Sequence, residues 1–595
     1  MLISWLSTFL VLVIAFVNVE GKPLFETIIY SVVALLNNSQ LMGVEIDNAI
    51  HFLQLDQPST ILYRGKAPVA RHSYRYVKIN VESYCVTAES FYRPPEIIDT
   101  VNEYFNRTWN KKQITPFPQV YEPLPIIKRI PTTLHKEGEI PTIHLVADQK
   151  ELDKMHQNYN EDIDVKATMS YVSLTDSLFF KHIKMSISGH SSRWMPKVPY
   201  NIKIEDSDRL YGFQRIKIRS LGNDPSYLRE KLAYDMIKAL GLPDTEFSYC
   251  RLFLNGQELG LFGVIEMFQD PWSALEFGNG DKGYESGIVY QAHGHSPSGR
   301  YSDLGYLENL SDYKDGQYDI KSDGKQSFKP LQKLTKFIAE GPVEGKHVVD
   351  TWNTMLHMET FLRSMVLEVL NAYWDGLIAH NHNFYLYNSP DTNNFIYISA
   401  DLDFTFGSSV VNSKPMLTGN YNTFPGMHTQ HLMSKVLQVR EFREQFEEML
   451  FHVTKHLVNP EATNGRIDDL ADMIQEDVIW DQTLPRLGVF VQNMARKFNV
   501  PFENGRIPAD LDIRSMIRQA LTSNTEELGE FAHMIPKGDP GNVERTLLYI
   551  ESILKGVPFF EAVYSTTGYE VIMGIKEYIR TISRNTLDYF YSNRY

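Results

Sequence analysis

With 595 residues the chain has material for several domains and no shortage of core. A hydrophobic content of 43% with 12% aromatics excludes a disordered protein, and a net charge of −15 argues against a nucleic-acid backbone as the main partner. Two cysteines, Cys85 and Cys250, are too few for a disulfide framework and read as two buried free thiols, with an inter-domain bridge as the alternative.

Residues 2–17, LISWLSTFLVLVIAFV, form an uncharged apolar run, and Val19 and Gly21 stand at the −3 and −1 positions before Lys22. This reads as a secretory signal peptide over 1–21, with an uncleaved anchor as the alternative because the positive n-region is weak. No later segment reaches the length of a membrane span, and LDYFYSNRY at the C-terminus lacks the tail of a GPI signal. The expectation is a secreted or loosely wall-associated glycoprotein, with sequons at Asn37, Asn106 and Asn309 in surface loops.

Across 22–115 short alternating runs such as TIIYSVVALL and YRYVKINVESYCV are separated by turn residues, the pattern of a small antiparallel β domain. Residues 116–164 open Pro-rich and read as a semi-extended linker. From 165 to 270 come strands KHIKMSIS (181–188), PYNIKI (199–204) and RIKIRS (215–220). A helix follows, with Asp224 as N-cap, Pro225 at N1 and Gly241 at its end. Next is a hairpin turning on Asn255-Gly256. Between the first two strands Gly189, Ser191, Ser192 and Arg193 could cover phosphates with N–H groups and hydroxyls; the bland alternative is a plain turn. Lys217, or second Lys203, is placed by element order to pair with Glu230 on the helix, as kinases fix the α/β-phosphates; lysines snorkelling at a sheet edge are the alternative. Glu266 to Phe268 fall where an adenine pocket would be lined, and residues 270–323 read as a long loop insertion.

The rest is organised around Asn371 to Gly407, NAYWDGLIAHNHNFYLYNSPDTNNFIYISADLDFTFG. A helix is expected from Thr351 to about Tyr373, then strands Phe384–Tyr387 and Phe395–Ser399 joined by the polar turn 389–393. Helix, loop with Asp then Asn, hairpin, Asp is the order of the catalytic half of a protein kinase. In that order Asp375 orients or deprotonates the acceptor hydroxyl, Asp401 holds Mg²⁺, and Asn381 or Asn383 supplies an amide oxygen. Asp403, two residues on in an extended stretch, points the same way as Asp401. The competing reading is that these acids only cap turns. The strings H-R-D and D-F-G are absent, so an ordinary protein kinase is not the match. His380 and His382, with His293 and His295, are a weak zinc set. Helical runs then occupy 432–457, 466–480, 509–523, 541–555 and 568–592, and the irregular segment 413–430 falls where a kinase carries its activation or substrate-binding loop.

Tyr-Trp-Asp-Gly at 373–376, His-Asn-Phe-Tyr-Leu-Tyr at 382–387 and Asp-Leu-Asp-Phe-Thr-Phe-Gly at 401–407 resemble the signature blocks of the spore-coat CotH kinase family. So do Gly-His-Ser-Ser-Arg at 189–193, Tyr-Asn-Ile-Lys at 200–203 and Leu-Asn-Gly-Gln-Glu-Leu-Gly at 254–260, and the resemblance runs over roughly 165–500. It implies an α+β, atypical protein-kinase-like two-lobed fold, with an N-lobe at 165–270, a C-lobe with a loop insertion at 271–500 and a C-terminal helical extension at 501–595. It also implies transfer of the ATP γ-phosphate, with Mg²⁺ or Mn²⁺, to Ser/Thr of extracellular, spore-coat or cell-wall proteins. Fungal members also act as cell-surface invasins, so the alternative function is an adhesin that binds a host-cell receptor on the same scaffold. Nucleic acid is not an expected partner.

Overall fold

The computed structural model describes residues 27–594 apart from positions 190, 206, 208, 297, 325, 326, 498, 523–534, 537 and 538. The signal peptide expected at 1–21 lies outside the described residues. Helices and sheets are both extensive, an α+β architecture, and the chain divides into two compact units, 1–110 and 111–595.

The first unit holds strands β1 (Thr27–Val33), β2 (Gln40–Ile46), β3 (Ala49–Leu55), β4 (Leu62–Pro68), β5 (Tyr74–Asn80), β6 (Val86–Ala88) and β7 (Glu103–Tyr104). They form one sheet in the order β6-β5-β2-β3-β4-β1-β7. Period-two alternation sends Met42, Val44, Ile46, Tyr74 and Tyr76 into the core. Asp47 and Asn48, both at positive φ, close the β2–β3 hairpin with the two-residue turn that matches strand twist. Arg93 is buried between Glu89 and Glu103, and the hydroxyls of Tyr74 and Tyr76 donate to Glu103. Both cysteines are free thiols; Cys85 is exposed rather than buried, while Cys250 lies in the wall of the barrel described next.

The second unit is built on a closed barrel of β8 (Thr142–Ala147), β9 (Val165–Val172), β10 (Ser177–Ile187), β11 (Tyr200–Ile204), β12 (Arg215–Arg219), β13 (Ser248–Leu254) and β14 (Gln257–Glu266). Its order is β10-β11-β12-β14-β13-β8-β9. Ile143, Met169, Met185, Ile202, Ile216, Ile218 and Val264 fill the interior. A four-stranded sheet follows in the order β16-β15-β17-β18, from β15 (Ile288–His293), β16 (Tyr318–Ile320), β17 (His382–Asn388) and β18 (Phe395–Ser399). Helices Lys329–Glu340, Met358–Leu370, Arg440–His456, Pro460–Gln482, Gly541–Lys555 and Ile575–Arg594 are the longest of its helical part. None of the described helices is long and apolar enough to cross a membrane.

Four expectations change. The stretch 142–164, taken as linker, carries β8 and the helix Gln149–Gln157; β8 pairs with β9 and β13, and without it the barrel would not close. The insertion 270–323 carries β15 and β16, because β17 takes its second partner from there. The helix expected from Thr351 to Tyr373 is two, Val348–Asn353 and Met358–Leu370. Between them the His357 N–H donates to the Phe395 carbonyl at 2.7 Å and Phe395 N–H to the Met355 carbonyl at 2.9 Å, so sheet bonds replace helical ones. The helix expected to start at Asp224 runs Arg229–Ala239 instead. Asp224 spends its carboxylate one turn earlier, accepting from the N–H groups of Ser226 and Arg229 and pairing with the Arg229 guanidinium.

Candidate active site

The β17–β18 hairpin carries the acidic positions. Asn383 is the second residue of β17 and Asp401 follows β18 by two residues, so the pairing of Phe384 with Ser399 brings the two segments side by side. Asn381, Asn383 and Asp401 all sit in the left-handed region, at φ 57°, 55° and 59°. Asn and Asp tolerate that region better than other side chains, which is a local reason for residue types that also suit a metal. Tyr373 ties the strands to the loop before them, its hydroxyl donating to the carbonyls of Ala400 and Asp401.

Asp375 is buried, and the Asn383 amide Nδ2 donates to its Oδ2 at 2.8 Å while Oδ1 has no partner. Burial first, then the charges of Asp403 and Asp401, push this carboxyl well above the usual range.

Arg219 at the end of β12 organises the acids. Its Nε lies 2.9 Å from Glu230 of the helix Arg229–Ala239, and its Nη2 pairs with Asp401 and stands 3.5 Å from Asp403. Asn223 Nδ2 reaches Asp403 Oδ2 at 3.3 Å. Burial would raise Asp401, but the Arg219 and Lys217 charges outweigh it and hold it below the usual range. Asp403 is pushed up to about 7 by burial and by the Asp401 charge beside it. Asp401 and Asp403 both face Arg219, and the extended stretch expected there is broken by Asp401 at φ 59° and a turn at 402–403.

Lys217 stands one strand period before Arg219, half-buried, and makes no ion pair among the described residues. Burial and the neighbouring Arg219 charge lower it, opposed by Asp401, Glu230 and Asp403. The partner of Glu230 is therefore Arg219, where Lys217 was expected. The signal was present: Arg-Ile-Lys-Ile-Arg puts Lys217 and Arg219 on one strand face. Asn223 and Tyr373 were also missed, because neither is recognisable without the tertiary contacts.

Other expected residues lie apart from this cluster. Lys203 faces Lys184 and Arg215 in register, whereas Lys217 is opposite Asn201. Glu266 points the other way from Lys217, into a buried set with Arg129, Thr245 and Glu276. Phe268 is core, against Trp272 and Tyr385. Gly189 has φ 79° and abuts Ser192 Oγ, and Ser191 begins the one-turn 3-10 helix Ser191–Trp194. Arg193 is used to hold that loop, donating to the carbonyls of Ile187 and Tyr159 and pairing with Asp162.

Among the described residues no three His, Cys, Asp or Glu side chains form a ready metal cage. Mg²⁺ keeps waters and takes one or two carboxylates together with substrate phosphates. The donors fit: Asp401 and Asp403 share one face of Arg219, and the side-chain oxygens Asp375 Oδ1, Asn381 Oδ1 and Asn223 Oδ1 are buried without a partner. All are hard oxygen ligands.

A family model described as CotH kinase protein matches residues 185–485, half of the chain and every position of the acidic cluster. The chain belongs to this CotH family. Among curated relatives, Invasin CotH2 of Rhizopus delemar is 25% identical over 67% of this chain and 68% of its own length. Invasin CotH3 of the same organism is 24% identical over 71% and 70%. The inner spore coat protein H of Bacillus subtilis is 23% identical over 58% of this chain and 90% of its own. The CotH span leaves out the whole first unit and ends soon after the helix Pro460–Gln482.

Proposed function

We propose that this CotH protein is an atypical, kinase-like phosphotransferase that moves the γ-phosphate of ATP to Ser/Thr hydroxyls of extracellular, coat or wall proteins. The observation that carries the reading is the Asp375–Asn383 pair beside Asp401 and Asp403, with Arg219 bridging both of the latter to Glu230. In this reading the barrel covers the nucleotide and the four-stranded sheet with its helices is the catalytic lobe. Asn383 fixes Asp375 Oδ2 and leaves Oδ1 for the acceptor hydroxyl. In its ionised form, the raised proton affinity of this carboxylate suits it to take that proton. The proton goes to Oδ1 as the Ser/Thr oxygen bonds to the γ-phosphorus and the bond to the ADP oxygen breaks. Asp401 and Asp403, with the Asn381 or Asn383 amide oxygen, would hold Mg²⁺ or Mn²⁺. The ion, when bound, supplies positive charge for the phosphate oxygens. Lys217, an ammonium without a carboxylate partner among the described residues, would meet phosphate in this reading. Gly189, Ser191 and Ser192 keep their proposed role on the phosphates; Arg193 shapes their loop.

The test is transfer of labelled phosphate from ATP with Mg²⁺ or Mn²⁺ to a basic Ser-rich protein. Asp375→Asn is expected to keep nucleotide binding and lose at least a hundredfold in transfer, and Asp401→Ala to lose metal-dependent nucleotide binding. Wild-type transfer in both variants would reject the assignment.

A second reading rests on the two relatives named invasins: a surface adhesin that binds a host-cell receptor on this scaffold. It predicts cell attachment that Asp375→Asn leaves unchanged. Either reading places the protein outside the cell, at a surface or in a coat.

A further inference from the structure

A cleft of about 70 Å³ lies beside the loop 221–227, and Lys197, Arg486 and Arg506 line it. Its acids do not balance its bases. Lys197 Nζ is 2.6 Å from Asp481 Oδ1 and Arg486 Nη2 is 2.8 Å from Asp481 Oδ2, so one buried carboxylate serves two cations. Asp224, the acid in the lining, is already paired with Arg229. The Arg506 side chain, half-buried, makes no hydrogen bond or ion pair among the described residues. Three cations with the one Asp481 carboxylate among them leave two positive charges among the described residues of the cleft, on a chain whose net charge is −15.

Two glycines admit the arginines. Gly505 has φ +81°, and a Cβ there would stand 2.6 Å from Arg486 Cγ; Gly556 has φ +80°, and a Cβ there would stand 2.2 Å from Arg506 Nη1. The Arg506 guanidinium thus lies on bare backbone at the cleft wall, its planar fork of donors unspent. That fork matches a tetrahedral oxyanion in bidentate fashion, and concave, partly desolvated surroundings strengthen the attraction.

We propose that this cleft binds a phosphate-type oxyanion, either free phosphate or the phosphoryl group of a phosphorylated peptide. It is distinct from the acidic site. Gly222 and Asp224 line the cleft, whereas the side chain of Asn223 between them turns to Asp403. The inference does not rest on the phosphotransferase reading.

Calorimetry and thermal unfolding of the full chain at fixed ionic strength would compare chloride, inorganic phosphate, a phosphoserine peptide and its unphosphorylated form. Phosphate or the phosphopeptide is expected to bind and raise Tm where chloride and the plain peptide do not, and the tighter of the two names the source. Arg506→Gln should weaken binding tenfold or more and Arg506→Lys less, since Lys keeps the charge without the fork. Asp401→Ala should leave binding intact. No effect of either phosphate probe, or undiminished binding in both Arg506 variants, overturns the proposal. Loss in Asp401→Ala with retention in Arg506→Gln assigns the binding to the acidic site and overturns it as well.

Discussion

Arg219 holds three acids with one guanidinium, and the energetic weight of the site rests on it. Removing one partner of a buried ion network strands the others, at roughly 3–5 kcal/mol. Arg219→Ala is therefore expected to lower stability by about that much in urea titrations. Arg219→Lys should recover part of the stability but not the bridge, because an ammonium cannot span Glu230 and Asp401 with fixed donors. Glu368 is a second buried acid with a measurable signature. Its carboxyl accepts from the Ile378 N–H at 2.5 Å, directly behind Asp375 and Gly376, and burial raises it from 4.5 to about 8. Between those values the folded protein keeps a proton that the unfolded chain has released. This contribution is full below about pH 4.5 and is lost as pH rises through about 8. At about 1.4 kcal/mol per unit the loss is several kcal/mol. Glu368→Gln, which cannot ionise, should lose less stability than wild type between pH 5 and pH 8.5; equal losses would show that Glu368 does not titrate in that window.

Glycines and carbonyls fit several elements of the second unit to one another. The segment 413–430, placed by kinase order at the activation loop, is an ordered path with two 3-10 turns, Lys414–Leu417 and Tyr421–Thr423. Gly426 has φ +85°, and a Cβ there would lie 1.8 Å from the Ile378 carbonyl oxygen, so this path is pressed onto the short helix Leu377–His380 that follows Asp375. Gly426→Ala combines left-handed strain with a backbone clash. It is expected to cost about 2 kcal/mol or more, read as a lower Tm, and, on the phosphotransferase reading, to reduce transfer by displacing the Asp375 segment. A neutral effect would mean that this contact gives way. At its other end the path is held by Asn585, whose Nδ2 donates to the Leu417 carbonyl at 2.6 Å.

On the scale of the molecule, the residues beyond 500 are part of the second unit and not an appendage. Tyr549 OH donates to the Asn223 carbonyl at 2.6 Å, Tyr578 OH to the Leu370 carbonyl at 2.7 Å, and Met573 N–H to the Gly407 carbonyl at 3.0 Å. Each contact supports a segment next to the acidic cluster. A chain ending at residue 500 should fail to give a soluble, cooperatively unfolding protein. A chain of 111–595, which keeps its own barrel core, should unfold cooperatively. Circular dichroism melts of the two decide the matter; a stable chain ending at 500 would return 501–595 to the status of an extension.

The sequence by itself determined the strands around the site and the β17–β18 and β13–β14 hairpins, and it singled out Asp375, Asn383, Asp401 and Asp403 by their order along the chain. Those signals are local: period-two alternation, turn residues, and polar side chains where a chain reverses. Only the tertiary structure decided that Arg219 and not Lys217 meets Glu230, that β8 belongs to the barrel, and that Glu266 serves a buried ion set. Two residues on one strand face are equivalent until a helix packs over one of them. A six-residue strand after a Pro-rich stretch carries no mark of its partners, since β8 pairs with strands some twenty and a hundred residues away. The cleft at Arg506 was beyond local reading for the same reason, because its three cations come from 197, 486 and 506 and meet only when the chain is folded.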